Sequence, residues 1–263
     1  MKPMVIKVGG AFMQSPQYAL ELLTVIRSLQ ESRPVVLVHG GGPMVEELLQ
    51  ALGLSSSKIN GLRVTPDEHM SYIVGALAGT ANKQLCGLAI QGGLSSVGLC
   101  LADGNMLQCE QISQELGAVG SAKAGQSKLL DSLLAGGFLP IISSIGADPK
   151  GRLLNINADQ AATAIAQLLN ADLFLLSDVP GVLDGDKQLL SSLNNQQIKQ
   201  LITENVIRDG MQVKVQAALD AAQSLQKPVT IASWKHAELL LGLLAGNDVG
   251  TKIIFAQTPK DPI

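Results

Sequence analysis

Apolar, β-branched-rich runs recur along the chain, each ending in glycine or polar residues and leading into a helical pattern. MVIKV (4–8), PVVLVHG (34–40), LPIISSIG (139–146), DLFLLSD (172–178), PVTIAS (228–233) and TKIIF (251–255) are continuous rather than alternating. Runs of this kind read as strands buried on both faces. Between them, helical spacing covers 17–31, 43–52, 67–91, 127–136, 158–169, 196–204 and 211–226. Strand alternating with helix predicts an α/β fold. Its centre is an open, mainly parallel sheet with helices on both faces, a three-layer sandwich.

Two stretches break the rhythm. Residues 58–65 (KINGLRVT) and 95–125 hold short strand-like pieces with Asn-Gly and Gly turns, which predict β-hairpins. Ligands in such sheets sit outside the carboxyl ends of the strands, so hairpins there would form a lid. No internal repeat or low-complexity linker interrupts the chain. A soft boundary is expected near 168–171, dividing it into an N-terminal lobe (1–169) and a C-terminal lobe (170–263) of one compact unit. The tail QTPKDPI (257–263) is polar and Pro-rich and is expected to fray.

Composition narrows the options. The 263 residues are 46% hydrophobic and 16% charged, enough for a large core and too apolar for disorder. No apolar run reaches the ~18 residues of a membrane helix, and MKPMVIKVGG reads as a strand and a glycine turn, not a signal peptide. A cytoplasmic protein is expected. A net charge of −3 gives no electrostatic footprint for nucleic acid, and 3% aromatics leave little with which to stack bases. Cys86, Cys100 and Cys109 lack metal-ligand spacing and read as buried, reduced thiols. The three histidines lie far apart, so no metal site is expected.

Chemistry begins with the glycines. Lys7-Val8-Gly9-Gly10 closes the first strand, and His39-Gly40-Gly41-Gly42 closes the second, just before a helix starting near Pro43. Proline suits a first helical turn, and glycines before it let backbone N–H groups approach an anion. One such turn could be purely structural. Two at successive strand ends should lie side by side. The P-loop pattern GxxxxGK[ST], the dinucleotide pattern GxGxxG and the protein-kinase catalytic loop are all missing. If phosphate binds here, another device holds it.

Lys7 interrupts an otherwise apolar strand at the edge of its glycine turn, and Lys214 lies in the first turns of an amphipathic helix. Lysine is almost never fully buried unless paired, yet a snorkelling or solvated lysine also fits each position. Asn155-Ile156-Asn157-Ala158-Asp159-Gln160 precedes a helix. Asn157 suits its N-cap and Asp159 its dipole. Asn155, Asn157 and Asp159 together exceed what capping requires. Ser177-Asp178-Val179-Pro180-Gly181-Val182-Leu183-Asp184 reads as a turn-rich loop at the ligand end of the sheet.

These pieces, in this order, resemble the amino-acid kinase family, and within it the acetylglutamate kinases. The resemblance is carried by IKVGG (6–10), VHGGGPMVEE (38–47), NGLRVT (60–65), GALAGTANK (75–83), NINADQAAT (155–163), LLSDVPGVLDG (175–185), DGMQVKVQAALDAA (209–222) and IASWKHAE (231–238). It implies an ATP-dependent kinase acting on the side-chain carboxylate of N-acetylglutamate, with the acid in the N-terminal lobe and MgATP in the C-terminal lobe. By the same resemblance Lys7 and Lys214 stabilise the transferring phosphoryl group, and Asp159 holds both lysines. Gly41, Gly42, Arg63 and Asn155 would bind the acid. Gly10, the loop Asp178, Val179, Pro180, Gly181, Val182 and Leu183, and the trio Val206, Ile207 and Arg208 would line the nucleotide. The family's arginine-inhibited hexamers carry an extra N-terminal helix. Here the first strand starts near residue 4, so the homodimeric, arginine-insensitive kind is expected, pairing through the helix near 67–91.

The chemistry suits such residues. A carboxylate with a reference pKa of about 4.3 is already ionised at neutral pH and needs no general base. What it needs is relief from repulsion by ATP, which lysines, glycine N–H groups and Mg²⁺ on the phosphates and water would supply. Arg63 suits the substrate's α-carboxylate, although an exposed hairpin arginine fits as well. The rival readings are a kinase of the same family for a free amino acid, carbamate or a nucleoside monophosphate, and a non-catalytic metabolite sensor. A Rossmann-type dehydrogenase lacks its fingerprint.

Overall fold

The structure, a computed structural model, describes residues 2–255. The tail 257–263 lies outside them. The strands are β1 (Met4–Val8), β2 (Val35–His39), β3 (Lys58–Ile59), β4 (Leu62–Arg63), β5 (Ser96–Cys100), β6 (Leu107–Gln111) and β7 (Val119–Ala124). They continue with β8 (Leu139–Ser143), β9 (Ile145–Ala147), β10 (Leu153–Ile156), β11 (Asp172–Ser177), β12 (Ser192–Asn194), β13 (Val229–Ser233) and β14 (Thr251–Ile254). The α-helices are α1 (Gly10–Met13), α2 (Pro16–Gln30), α3 (Gly42–Ala51), α4 (Met70–Val74) and α5 (Asn82–Gln91). After them come α6 (Lys128–Ala135), α7 (Ala158–Leu168), α8 (Asn195–Thr203) and α9 (Asp209–Leu225).

Eight strands form one sheet in the order β12-β14-β13-β11-β1-β2-β8-β5, parallel at every pairing except β13 with β14. Every residue of β2, β8 and β13 is buried, as continuous apolar runs require. Alternate residues of β1 divide between two cores. Val5 shares one core with Ala161, Ala162 and Ile165 of α7 and Val215 and Ala218 of α9, whereas Met4, Ile6 and Val8 share the other with Leu22, Ile26 and Leu29 of α2 and Leu85 of α5. The predicted three-layer α/β sandwich is therefore present. Strand order reverses at β1, which has β2 on one side and β11 on the other, so a crevice opens beyond its carboxyl end.

The small elements add detail that periodicity did not contain. Lys58–Ile59 and Leu62–Arg63 form the predicted hairpin, with Asn60 (φ 50°) and Gly61 (φ 81°) both left-handed, as an Asn-Gly turn demands. Of the stretch 95–125, only β6 and β7 pair as antiparallel neighbours, inside a second sheet ordered β6-β7-β10-β9. Residues 96–100, expected in a hairpin, instead form β5, the edge strand of the main sheet. Gly98 permits this, because a Cβ there would lie 2.1 Å from Asn82 Oδ1. The run 139–146 splits into β8 and β9, which belong to different sheets.

Residues 67–91 are not one uniform helix. A 3₁₀ turn (Asp67–His69) leads into α4, then a π-helical stretch (Gly75–Ala81), then α5. The π stretch carries small residues and sets Leu77 against the second glycine turn, where a Cβ on Gly41 would fall 2.5 Å from Leu77 Cδ2. Among the described residues, no helix is long and apolar enough to cross a membrane.

Helix α7 starts as the sequence predicts. Asn157 Oδ1 accepts from the Asp159 N–H (2.9 Å) and the Gln160 N–H (3.2 Å). Replacing Asn157 by alanine should lower stability by about 1 kcal/mol in urea unfolding. An unchanged midpoint would show that water caps the helix equally well.

Candidate active site

The two glycine turns do lie side by side. A Cβ on Gly10 would come within 2.2 Å of Pro43 Cδ and 3.1 Å of Gly42 N, so only glycine allows this approach. Gly40 in turn faces Ala158, the first residue of α7, at 3.3 Å from a notional Cβ. Three chain segments thus meet at the carboxyl ends of β1 and β2, and two cavities flank the junction.

The first cavity, of about 180 Å³, is bounded by Gly40, Gly41 and Gly42, the β3–β4 hairpin, Leu77, Ser144 and residues 155–158. All four residues expected to bind an acid, Gly41, Gly42, Arg63 and Asn155, line it. Gly41 caps α3 with no side-chain acceptor, which leaves the first-turn N–H groups for an anion. Arg63 is held by three partners: the Glu46 carboxylate (2.5 Å), Ser56 Oγ and the Gly42 carbonyl (3.1 Å). Its side chain is only 9% exposed, and the guanidinium in return keeps the Glu46 carboxyl below its usual range. The hairpin therefore carries a fixed cation to the cavity rim. A free surface arginine is the reading this geometry disfavours.

The second cavity, of about 220 Å³, gathers Lys7, Gly9, Gly10, Asp159, Ser177, Asp178, Lys214 and Trp234. Lys7 stands at the end of the central strand, 14% exposed, with its ammonium 2.9 Å from Asp159 Oδ1. Lys214 projects from α9 to Asp178 Oδ1 at 2.8 Å. That ammonium holds the Asp178 carboxyl down to about 2, so the carboxylate stays ionised throughout the neutral range. Asp159 was expected to hold both lysines. In this structure it holds Lys7, and the partner of Lys214 is Asp178, one of the residues assigned to the nucleotide loop.

The remaining nucleotide residues are more dispersed. Gly10 and Asp178 line the second cavity, but Val179, Pro180, Gly181, Val182 and Leu183 do not. That loop folds against β14, where the Val182 N–H donates to Thr251 Oγ1 (2.8 Å). Val206, Ile207 and Arg208 precede α9 and line neither cavity, Ile207 being buried in the core. Among the described residues no group of three or more His, Cys, Asp or Glu side chains could hold a metal ion. Burial pushes the thiols of Cys86, Cys100 and Cys109 up, which keeps them protonated and unreactive at neutral pH.

Pattern reading missed the anchor of the second glycine turn. His39 is fully buried at the end of β2. Its Nδ1 lies 2.9 Å from the Gly40 carbonyl, which can only accept, so Nδ1 carries the hydrogen. Nε2 then accepts from Asn82 Nδ2 (3.1 Å), whose amide also donates to the Ile141 carbonyl (2.8 Å). Burial lowers His39 to about 4. No local signal marks Asn82, 43 residues away in the chain.

Known proteins resemble this chain along most of its length. Residues 2–233 match the model of the amino acid kinase family. The chain is similar to an acetylglutamate kinase from Pasteurella multocida (54% identical over 255 residues, 96% of this chain and 99% of the relative). It is similar also to an acetylglutamate kinase from Aeromonas salmonicida (52% identical over 252 residues, 95% and 97%). Among solved structures it resembles the N-acetylglutamate synthase of Neisseria gonorrhoeae in complex with coenzyme A and N-acetyl-glutamate. There the TM-score is 0.82 at 22% identity, over 98% of this chain and 60% of that longer one, a likeness that bears on the fold alone.

A neutral, buried His39 makes stability depend on pH. Between its unfolded value of 6.5 and its folded value of about 4 the unfolded chain binds a proton that the folded chain does not. Stability therefore falls as pH drops through that window. From pH 7 to pH 5 the parent chain should lose about 2 kcal/mol more than His39→Asn in urea unfolding. Equal losses would mean that His39 is not held neutral.

Proposed function

The chain belongs to the amino acid kinase family, and on that premise we propose that it transfers the γ-phosphoryl group of ATP to the side-chain carboxylate of N-acetyl-L-glutamate. The product is N-acetyl-L-glutamyl 5-phosphate, and the reaction is a step of arginine biosynthesis in the cytoplasm. The observation that carries this reading is the junction itself. A cavity walled by glycine N–H groups, Arg63 and Asn155 shares a border with one that holds two paired lysines.

In this reading residues 1–169 bind the acid and residues 170–263 bind the nucleotide. Arg63 takes the α-carboxylate, and the side-chain carboxylate points over Gly41 and Gly42 toward Lys7. The acceptor is an anion already, so nothing must remove a proton from it. The obstacle is charge: an anion must approach a polyanion. Lys7 enters from the central strand and Lys214 from α9. Two ammonium groups, preset by Asp159 and Asp178, neutralise oxygens that gain charge as the phosphoryl group moves. Both carboxylates are engaged by lysines; Mg²⁺ would be carried by the nucleotide phosphates and water and would supply charge neutralisation there. Val179–Leu183 and Val206–Arg208 flank the adenosine side, close to α9.

Lys7→Ala and Lys214→Ala should each lower kcat by roughly 10²–10³-fold with modest change in KM. Arg63→Ala should raise KM for the acid about 10- to 100-fold, as loss of charged hydrogen bonds predicts, and leave KM for ATP nearly unchanged. Near-normal turnover in a lysine variant removes that lysine from the mechanism, and an unaltered acid KM removes Arg63. Two chains are proposed to pair across the 67–91 stretch, where Tyr72 and Ile90 are exposed. Solution mass should be twice 27.5 kDa; a monomer would refute the pairing.

A further inference from the structure

The hydroxyl of Thr65 links the main chain of one residue assigned to the acid to the side chain of the other. Thr65 is 0% exposed and follows the β3–β4 hairpin. Its Oγ1 lies 2.9 Å from the Arg63 carbonyl and 3.2 Å from Asn155 Nδ2. A hydroxyl has a single hydrogen, and a carbonyl can only accept. The Thr65 hydrogen is therefore committed to Arg63, and its oxygen is left to accept. Asn155 must then turn its NH₂ toward Thr65, since its own carbonyl oxygen would meet lone pairs there. One hydroxyl thus fixes the polarity of the Asn155 amide, leaving its carbonyl oxygen and second N–H for other partners. The same hydroxyl ties down the main chain from which Arg63 projects.

The backbone of Thr65 is held independently of that hydroxyl. Its N–H donates to the Leu116 carbonyl (2.9 Å), and its carbonyl accepts from the Ala118 N–H (2.6 Å). The Ala118 carbonyl in turn accepts from the Asn155 N–H (2.8 Å). Gly117, at φ +70°, makes the approach possible, because a Cβ there would lie 2.2 Å from the Thr65 oxygen. Removing the hydroxyl should leave this stitch in place and free only the two side-chain links.

We propose that Thr65 is a positioning residue for the acid: it touches no substrate, and it sets the amide of Asn155 and the approach of Arg63. The inference rests on the reading that the first cavity binds the acid. Valine matches threonine in shape but lacks the hydroxyl, so Thr65→Val leaves Asn155 Nδ2 without its partner and the amide free to invert. Serine keeps the hydroxyl.

The test is steady-state kinetics in both substrates for Thr65→Val and Thr65→Ser, with Arg63→Ala and Asn155→Ala as references and thermal midpoints for all. Thr65→Val should raise KM for the acid about five- to tenfold, the effect of one net hydrogen bond, with kcat and KM for ATP close to the parent. Thr65→Ser should restore the acid KM. In the Asn155→Ala background Thr65→Val should add little, because its main target is gone. If Thr65→Val does not fold, Thr65→Ala, which only removes atoms, is measured in its place. An unchanged acid KM in Thr65→Val, with raised values in both reference variants, overturns the role of Thr65 and leaves the cavity assignment standing. Unchanged values in the reference variants too overturn the cavity assignment and the inference together. Equal losses of kcat and thermal midpoint in the valine and serine variants show a general packing role and overturn it as well.

Discussion

A lysine at the end of a buried central strand needs a counter-charge, and much of the site is arranged around that need. Lys7 is flanked by Val38 of β2 and Leu175 of β11 in the sheet register, so its stem runs through apolar surroundings. Its side chain is only 14% exposed, and a partly buried charge without a partner is strongly destabilising. Asp159 supplies the partner from the first turn of α7. That places three demands on the chain. The helix must start at Ala158, which Asn157 secures by capping. It must lie close to the sheet, which its run of alanines allows. Gly40 must also leave room for it, which any side chain there would reduce. The constraint that keeps one charge satisfied thus fixes the meeting point of β1, β2 and α7.

That arrangement suits an acceptor that is already ionised. A hydroxyl acceptor would call for a base near the phosphoryl group, whereas a carboxylate calls for positive charge and exclusion of repulsion. Each carboxylate of the second cavity is bound to a lysine, and His39 is buried with both ring nitrogens committed to hydrogen bonds. The side chains nearest the junction therefore supply charge and shape and leave proton transfer aside. The first cavity works by fixed polarity: bare N–H groups at the start of α3, a guanidinium held on three sides and an amide whose orientation is set by Thr65.

Most of the fold was legible in the chain because its strands are buried on both faces. Such strands leave continuous apolar runs; five of the six became single strands within a residue or two, and the sixth, 139–146, divided between β8 and β9. The paired glycine turns were legible for a related reason: chain order alone puts the ends of β1 and β2 next to each other. β5 was not legible. SVGLC is short and mildly apolar, and its pairing along β8, with Gly98 against Asn82, is a meeting that no local pattern shows. The π stretch was hidden because small residues fit an α-helix equally well. Within the site, side chains that line a cavity could be named, but their partners could not. Lys214 meets Asp178 across 36 positions, Asn155 meets Thr65 across 90, and His39 meets Asn82 across 43. No periodicity encodes pairs that the fold alone brings together.

Transfer of a phosphoryl group to a carboxylate leaves a product that can be trapped. An acyl phosphate reacts with hydroxylamine to give a coloured hydroxamate. The purified chain with ATP, Mg²⁺ and N-acetylglutamate should form hydroxamate in step with ADP, and far less with free glutamate at the same concentration. ADP without hydroxamate, or equal hydroxamate from both acids, would rule out phosphoryl transfer specific to the acetylated acid.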